Sequence, residues 1–287
     1  MFLFTAVIIL VLQLTIKPVI LYGSGIKAAI QERSSSFPEE LLDNDFRYNV
    51  KFLWFNNMAE ARLFFKKGKN PHEYKAVLEG RTKGFIGWLT SHRMHRYAST
   101  MELIDTPNGP HLRSSRFLRE VIKGEEKEET AYILDYKERQ VTVRHSKKGM
   151  DDEVNRYDMP GDNIYEDLLS AYFNFKSGVF GNIKKGAVFE INTISKKQVL
   201  KVKVTVVDDN TRVMNELTEI NDKASFIIKL ELDRELFGQK NGIVWAWTDM
   251  NIIPLTGRIV DVIGFGDVWG TISTDSAYFT GMLESSK

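Results

Sequence analysis

The chain has 287 residues, of which 43% are hydrophobic and 27% are charged, and its formal net charge is +1. This composition excludes wholesale disorder, and the balanced charge excludes a strong field directed at nucleic acid or at an anionic surface. The absence of cysteine from the sequence excludes disulfides, thiolate metal sites and cysteine nucleophiles.

The N-terminus is strongly apolar. Residues 1–16 are almost wholly hydrophobic, and Lys17-Pro18 interrupts the run before the roughly 20 apolar residues that a membrane span needs. Gly23-Ser24-Gly25 then supplies the small residues of a cleavage site. We therefore expect residues 1–25 to be a signal peptide or an N-terminal membrane anchor, with export to the periplasm or cell envelope of a bacterium. A buried N-terminal strand or helix is the alternative.

Residues 26–45 are polar enough to form a linker, and Pro38 precedes a short stretch, residues 39–42, that favours one turn of helix. From Phe46 to Phe55 large apolar residues then alternate with polar ones, which is the clearest strand pattern in the chain. Similar strands are predicted at 59–65, 74–78, 112–121, 132–136, 141–143, 187–194, 200–206, 212–220, 226–232, 242–248 and 259–272. The turns between them are too short for parallel crossovers, so the pattern predicts an antiparallel sheet.

One segment follows a helical pattern instead. Ile164, Leu168, Tyr172 and their neighbours place apolar side chains on one face of a helix, with Asp162 at the N-cap position. Lys176 and the glycine that follows at position 178 are stop signals. We predict a mainly β fold: a large curved antiparallel sheet or half-open barrel over residues 46–272, with one amphipathic helix, about 162–176, packed on its concave side. Residues 273–287 are expected to be a C-terminal tail.

Residue patterns for catalysis and metal binding are weak. His92 and His95 would point to opposite faces of a strand, so they are not expected to chelate one ion. The sequence lacks the Gly-x-Ser-x-Gly motif of a nucleophile elbow. We predict no catalytic residue, no metal and no cofactor.

Four carboxylates surround the predicted helix start: Asp158, Asp162, Glu166 and Asp167. Helix capping and the helix dipole account for all four. The alternative is a hydrolase acting on a cell-wall or surface polymer, and it requires at least two of these carboxylates to face each other in an open cleft.

The aromatic residues permit two interpretations. Aromatic side chains dominate the burial of any core, so an ordinary core is the first interpretation. A curved sheet with such a lining could also hold a lipid-like or other apolar ligand against the helix. The residues predicted to line that ligand site are Tyr48, Phe52, Trp54, Trp88, Leu168, Tyr172, Trp245 and Trp247. The expected partners are an apolar small molecule and other envelope proteins, with no nucleic acid and with membrane contact only through the N-terminal segment.

Several short motifs carry a family resemblance. The run from Glu166 to Phe173, followed by the glycine-flanked segment 178–186, resembles a segment of the bacterial family catalogued as domain of unknown function 3108. Trp247-Thr248-Asp249, Ile253-Pro254-Leu255 and Ile263-Gly264 resemble that family's closing motifs, and the early hairpin 46–65 is similar to its opening strands. Arg113-Ser114-Ser115-Arg116 lies in the loosely patterned middle. The similarity spans about residues 45–272 and departs from the family pattern at 57–61, where a glycine is expected near Glu60.

The resemblance implies an exported, mostly β protein of a bacterial envelope, from a family without an established enzymatic activity. Its members supply no catalytic residue to transfer to this chain. We therefore expect a non-enzymatic envelope protein that binds a lipid-like or other apolar ligand between sheet and helix. The alternatives are an envelope scaffold or assembly factor, and the hydrolase described above.

Overall fold

The computed structural model describes residues 37–42, 44–52, 55–208, 224–232, 242–262, 266–274 and 276. Within these residues one sheet contains 14 strands, and every pair of neighbours is antiparallel. The strands are β1 (Asp45–Phe52), β2 (Phe55–Lys67), β3 (Glu73–Thr82), β4 (Met94–Thr106), β5 (Gly109–Lys123), β6 (Glu126–Asp135), β7 (Gln140–Lys147), β8 (Glu153–Asp158), β9 (Val188–Ile194), β10 (Val199–Val206), β11 (Phe226–Glu231), β12 (Ile243–Thr248), β13 (Pro254–Val262) and β14 (Gly266–Ile272). The predicted signal peptide or anchor, the strand predicted at 212–220 and most of the predicted tail lie outside the described residues.

The sheet consists of two meanders. Strands β1 to β8 pair in sequence, strands β9 to β14 pair in sequence, and the two sets join where β1 pairs with β14. The edges of the sheet are therefore β8 and β9, which follow each other in the chain. The segment that joins these two edges carries the longer helix.

Alternating side chains explain most of the strands. In β1 the side chains of Phe46, Tyr48 and Val50 are buried, while those between them are more exposed. The predicted antiparallel, mainly β fold is confirmed. Strand β8 was not predicted, because five of its six residues are exposed and an apolar face is missing from its sequence.

Helix α2 (Leu168–Lys176) is the predicted amphipathic helix, but it begins later than about residue 162. Its N-cap is Asp167, whose side chain accepts from two helix amides, whereas Asp162 is exposed. The preceding residues are extended because the backbone of Glu166 pairs with β9: its N–H donates to Asn192 O at 2.9 Å, and its carbonyl accepts from Ile194 N at 3.0 Å. Beyond the helix Gly178 adopts a positive φ of 74°, as the stop signal predicts.

The sheet curves round α2. The helix packs on β3, β4 and β5 and also on β9, which lies at the far edge of the sheet. Leu169 and Phe173 are fully buried, and the ring of Phe173 lies 4.7 Å from that of Phe65 between centroids. Residues of both meanders and of α2 thus form one hydrophobic core.

Side chains hold the two sheet edges near each other. The Tyr157 hydroxyl on β8 donates to the carbonyl of Ser195, just after β9, at 2.6 Å. The Tyr136 hydroxyl donates to the carbonyl of Tyr165, in the segment before α2, at 2.9 Å. The seam between β8 and β9 is therefore closed by side chains and by this segment, as in a half-open barrel.

Two further elements are short. Helix α1 (Gly84–Leu89), which connects β3 to β4, was not expected from the sequence. A 3-10 turn at Glu39–Leu41 coincides with the short helix predicted in the linker. Across the described ranges, no helix has the length and apolar character that crossing a membrane requires.

Candidate functional site

The first candidate is a buried polar cluster at the N-terminus of α2. Asp167 is 1% exposed, and its Oδ1 accepts from the backbone N–H groups of Leu169 at 2.7 Å and Ser170 at 3.1 Å. Its Oδ2 accepts from the hydroxyls of Ser99 on β4 and Ser114 on β5, both at 2.5 Å. This one carboxylate therefore caps the helix and fixes it to two strands.

The neighbouring Glu166 fixes the second turn of the helix. His111 Nε2 donates to Glu166 Oε1 at 2.6 Å, and Asn174 Nδ2 lies 3.2 Å from each carboxylate oxygen. The Asn174 amide also bonds both backbone groups of Leu112 on β5, at 3.0 Å and 2.9 Å. We call the set Ser99, His111, Ser114, Glu166, Asp167, Ser170 and Asn174 the polar clamp.

The polar clamp suits a structural role better than a reaction. A buried polar network stabilises one arrangement when its donors and acceptors are satisfied, and both carboxylates here are bonded to several donors. The hydrolase alternative needs two acids that share an open cleft. Asp167 is buried, while Asp158 and Asp162 are exposed, so Asp167 lacks the access to water that such a reaction requires.

The polar clamp gives a pH prediction. Burial raises the pKa of Asp167 from 3.8 to about 6, against the lowering effect of its four hydrogen bonds. The folded protein therefore holds this proton more tightly than the unfolded chain does. The associated stability is fully present below pH 3.8 and is lost as the pH rises to about 6. A shift of this size corresponds to about 3 kcal/mol in the free energy of unfolding.

The measurement compares wild type with Asp167→Asn by urea denaturation between pH 4 and pH 7.5. Asparagine does not titrate, so between pH 4 and pH 7.5 we expect wild type to lose about 2.5 kcal/mol of unfolding free energy relative to the variant. Parallel pH profiles of wild type and variant would contradict the assignment.

A second group of polar side chains lies near the other end of α2. Tyr48 on β1 and Tyr172 on α2 are 2% and 3% exposed, and neither hydroxyl oxygen has a hydrogen-bond partner among the described residues. Burial raises the pKa of both tyrosines well above the usual value, and the charge of Asp249 raises both further. Tyr172 also raises the pKa of Tyr48. The charge states of the two buried hydroxyls and of one carboxylate are thus coupled.

Asp249 belongs to the turn between β12 and β13. Its Oδ1 accepts from the N–H groups of Asn251 at 2.9 Å and Ile253 at 2.8 Å, and burial raises its pKa despite these bonds and the nearby Lys176. The Lys176 ammonium, in the last turn of α2, donates to the carbonyl of Asn251 at 2.6 Å. Burial lowers the pKa of Lys176 to about 8. We call Tyr48, Tyr172, Lys176 and Asp249 the tyrosine cluster.

The structure brings two of the eight predicted ligand-lining residues, Tyr48 and Tyr172, together in this cluster. Leu168 is half-buried and packs against the core, and Trp247 is fully buried with its ring stacked on that of Trp269 at 5.8 Å. Trp245 is half-buried. Trp88 is 71% exposed on α1. Trp54 and the side chain of Phe52 lie outside what the structure describes.

Two members of the tyrosine cluster were not assigned to a site from the sequence. Asp249 was noted only within the motif Trp247-Thr248-Asp249, and Lys176 only as a helix stop signal. The coincidence of a buried carboxylate with two aromatic hydroxyls depends on contacts between distant parts of the chain. The motif was the one local signal that could have identified Asp249.

The two histidines His92 and His95 differ in their exposure to solvent. His92 is exposed, while His95 is fully buried and its ring lies 6.4 Å from that of Tyr97, in a stacked arrangement. Burial lowers the pKa of His95 well below its usual value. In the described part of the chain, no group of three or more His, Cys, Asp or Glu side chains is arranged to hold a metal ion.

The fold places the chain among mainly β proteins with one large open antiparallel sheet and a helix packed on it. The family described as Protein of unknown function (DUF3108) matches residues 47–264, and the chain belongs to this family. The resemblance given by the sequence motifs is thereby confirmed.

One solved structure is similar in fold: a beta-barrel-like protein of domain of unknown function DUF1849 from Brucella abortus. It shares 12% sequence identity with this chain at a TM-score of 0.42, over 80% of this chain and 94% of that one. A comparison with curated proteins finds no match.

Proposed function

We propose that this protein is a non-enzymatic binding protein of the bacterial cell envelope, which holds a lipid-like or other apolar molecule between the curved sheet and α2. The apolar N-terminal segment supports export, as argued from the sequence. The observation that carries the binding proposal is the pair of buried hydroxyls of Tyr48 and Tyr172, which have no hydrogen-bond partner among the described residues.

Such hydroxyls are costly in a folded protein. A buried polar group without a partner destabilises the native state by about 1–3 kcal/mol, so most native proteins pair such groups with protein atoms or ordered water. Several other tyrosines of this interior do have partners: the hydroxyl of Tyr74 donates to Glu39 at 2.8 Å, and the hydroxyl of Tyr165 donates to the carbonyl of Pro160 at 2.8 Å. A bound molecule with a polar end and an apolar body would supply a partner while leaving the surrounding apolar packing intact.

The seam between β8 and β9 offers an entry route. A continuous β ladder would have to lose many backbone hydrogen bonds to open, whereas this seam depends on side-chain bonds such as the one from Tyr157 to Ser195. Opening the seam would break such side-chain bonds and the two backbone bonds between Glu166 and β9, but it would leave the strand pairs of the sheet intact. This property supports a protein that takes up and releases a ligand.

Native mass spectrometry of protein purified gently from its own cells, followed by organic extraction, tests the proposal. We expect a co-purifying lipid or apolar molecule in wild type, and reduced occupancy in Tyr48→Phe and Tyr172→Phe, since each variant removes only a hydroxyl. Tyr74→Phe is the matched control: it removes the hydroxyl of a buried tyrosine outside the cluster and should leave occupancy unchanged. A ligand-free mass for wild type across independent gentle preparations would contradict the proposal.

An envelope scaffold is the second candidate, and the exposed edge strand β8 favours it. Five of the six residues of β8 are exposed, including Val154 at 49%. An exposed edge strand can pair with a strand from another protein. A scaffold predicts a co-purifying protein and no extractable ligand from the same preparations.

A further inference from the structure

The chemistry of the tyrosine cluster narrows the class of ligand. We infer that the ligand is a neutral amphiphile whose ester or amide carbonyl accepts hydrogen bonds from the hydroxyls of Tyr48 and Tyr172. The inference rests on the proposed function, since it identifies the polar end of the same apolar ligand. The inferred subsite consists of residues from strand β1, helix α2 and the turn between β12 and β13.

The two hydroxyls call for an acceptor. A phenol donates a hydrogen bond more readily than an aliphatic hydroxyl, because its ring withdraws charge from the oxygen. Tyr48 and Tyr172 are at most 3% exposed, so bulk water does not reach these donors freely. A carbonyl oxygen has two lone pairs and can accept from both hydroxyls at once.

The carboxylate of Asp249 limits the charge of the ligand. Asp249 is 8% exposed, and its Oδ1 is held by the backbone of its own turn, so the group cannot turn away without losing two hydrogen bonds. A second negative charge placed at the tyrosine hydroxyls would be repelled in this weakly screened interior. A free fatty acid is therefore a poorer ligand than its neutral ester or amide.

Lys176 offsets part of this charge but does not create an anion site. Its ammonium donates to the carbonyl of Asn251 at 2.6 Å. The charge of Lys176 lowers the pKa of Asp249, and the charge of Glu40 raises the pKa of Lys176. The lysine is thus committed to the turn that carries Asp249. The hydroxyls remain the donors that a ligand would meet.

A binding comparison on the full chain, after extraction of co-purifying lipids, tests the inference. Monopalmitoylglycerol and palmitate carry the same acyl chain, and they differ at the polar end in charge. By isothermal titration calorimetry at pH 8 we expect wild type to bind monopalmitoylglycerol at least about tenfold more tightly than palmitate. Asp249→Asn keeps an oxygen for the N–H groups of Asn251 and Ile253 but removes the charge, so this preference should shrink towards parity.

The tyrosines are tested with the double variant Tyr48→Phe/Tyr172→Phe, with Tyr74→Phe as the control. The double variant should bind monopalmitoylglycerol about tenfold more weakly, and the control should match wild type. If Asp249→Asn does not fold, hexadecylamine gives the same information on wild type alone. Its cation should bind more tightly than palmitate.

The outcomes separate the two proposals. Binding of none of these amphiphiles would overturn the proposed function itself. Equal binding of monopalmitoylglycerol and palmitate, unchanged by Asp249→Asn, would overturn the neutral-ligand inference and leave the binding function intact. If the double tyrosine variant still binds monopalmitoylglycerol more tightly than palmitate, the two hydroxyls are not the donors to the ligand. Ordered water would then be their hydrogen-bond partner.

Discussion

Replacing Asp167 with alanine is expected to lower the free energy of unfolding by about 4 kcal/mol, the largest effect of any single carboxylate in the described part of the chain. The change removes the N-cap of α2 and leaves the hydroxyls of Ser99 and Ser114 without their acceptor. It also frees two buried backbone N–H groups at the helix start. Urea denaturation followed by tryptophan fluorescence at pH 4.5, below the Asp167 pKa of about 6, measures the loss.

Asp162→Ala is the matched control for this prediction. Asp162 has the same side chain and is the N-cap that the sequence pattern predicts, but it is exposed, five residues before the observed cap. We expect its replacement to change stability by less than about 0.5 kcal/mol. Equal losses for the two variants would show that the helix begins at the earlier aspartate and that the polar clamp is misassigned.

Replacing Phe173 with alanine is expected to destabilise the protein by a comparable amount, about 4 kcal/mol. Phe173 is fully buried at the centre of the helix–sheet interface, and its ring lies 4.7 Å from that of Phe65 and 4.8 Å from that of Tyr172 between centroids. Alanine leaves a cavity that packed neighbours on both sides cannot fill completely. The same denaturation experiment measures this loss.

Two variants accompany the Phe173 experiment. Phe173→Leu retains most of the volume and should cost less than half as much. Trp88→Ala removes a larger aromatic side chain that is 71% exposed on α1, and we expect a change below about 0.5 kcal/mol. A loss at Trp88 as large as that at Phe173 would contradict the placement of the core beneath α2.

The local sequence pattern predicted the antiparallel sheet, but it missed one strand and misplaced the start of the helix. The alternation of residues 46–55 predicted β1, because one face of that strand is buried and the other is not. Strand β8 has no such contrast, since most of it is exposed at a sheet edge, and a pattern of burial could not reveal it. Helix α2 was predicted to begin at about residue 162, because residues 164 and 165 continue its apolar spacing. They are not helical in the structure, where the next residue, Glu166, pairs through its backbone with β9, and no local pattern contains that pairing.

The candidate sites show the same division. Tyr48 and Tyr172 were chosen from the sequence because they are aromatic and lie on elements expected to face each other. Their lack of hydrogen-bond partners and the effect of the Asp249 charge on their pKa values are tertiary properties. The polar clamp was seen only as acidic residues near a helix start. Its serine partners are 68 and 53 residues away in the chain, so the sequence could not pair them with Asp167.

The pairing of the first strand with the last has a consequence for biosynthesis. Strand β1 gains its second neighbour only when β14 has been made, because Tyr48 on β1 pairs with Ile272 on β14. The first meander can form its own strand pairs in order, but one side of β1 exposes its backbone N–H and C=O groups until β14 pairs with it. A nascent or truncated chain is therefore vulnerable to pairing with other chains through this edge. This edge is protected only when the β1–β14 pair has formed.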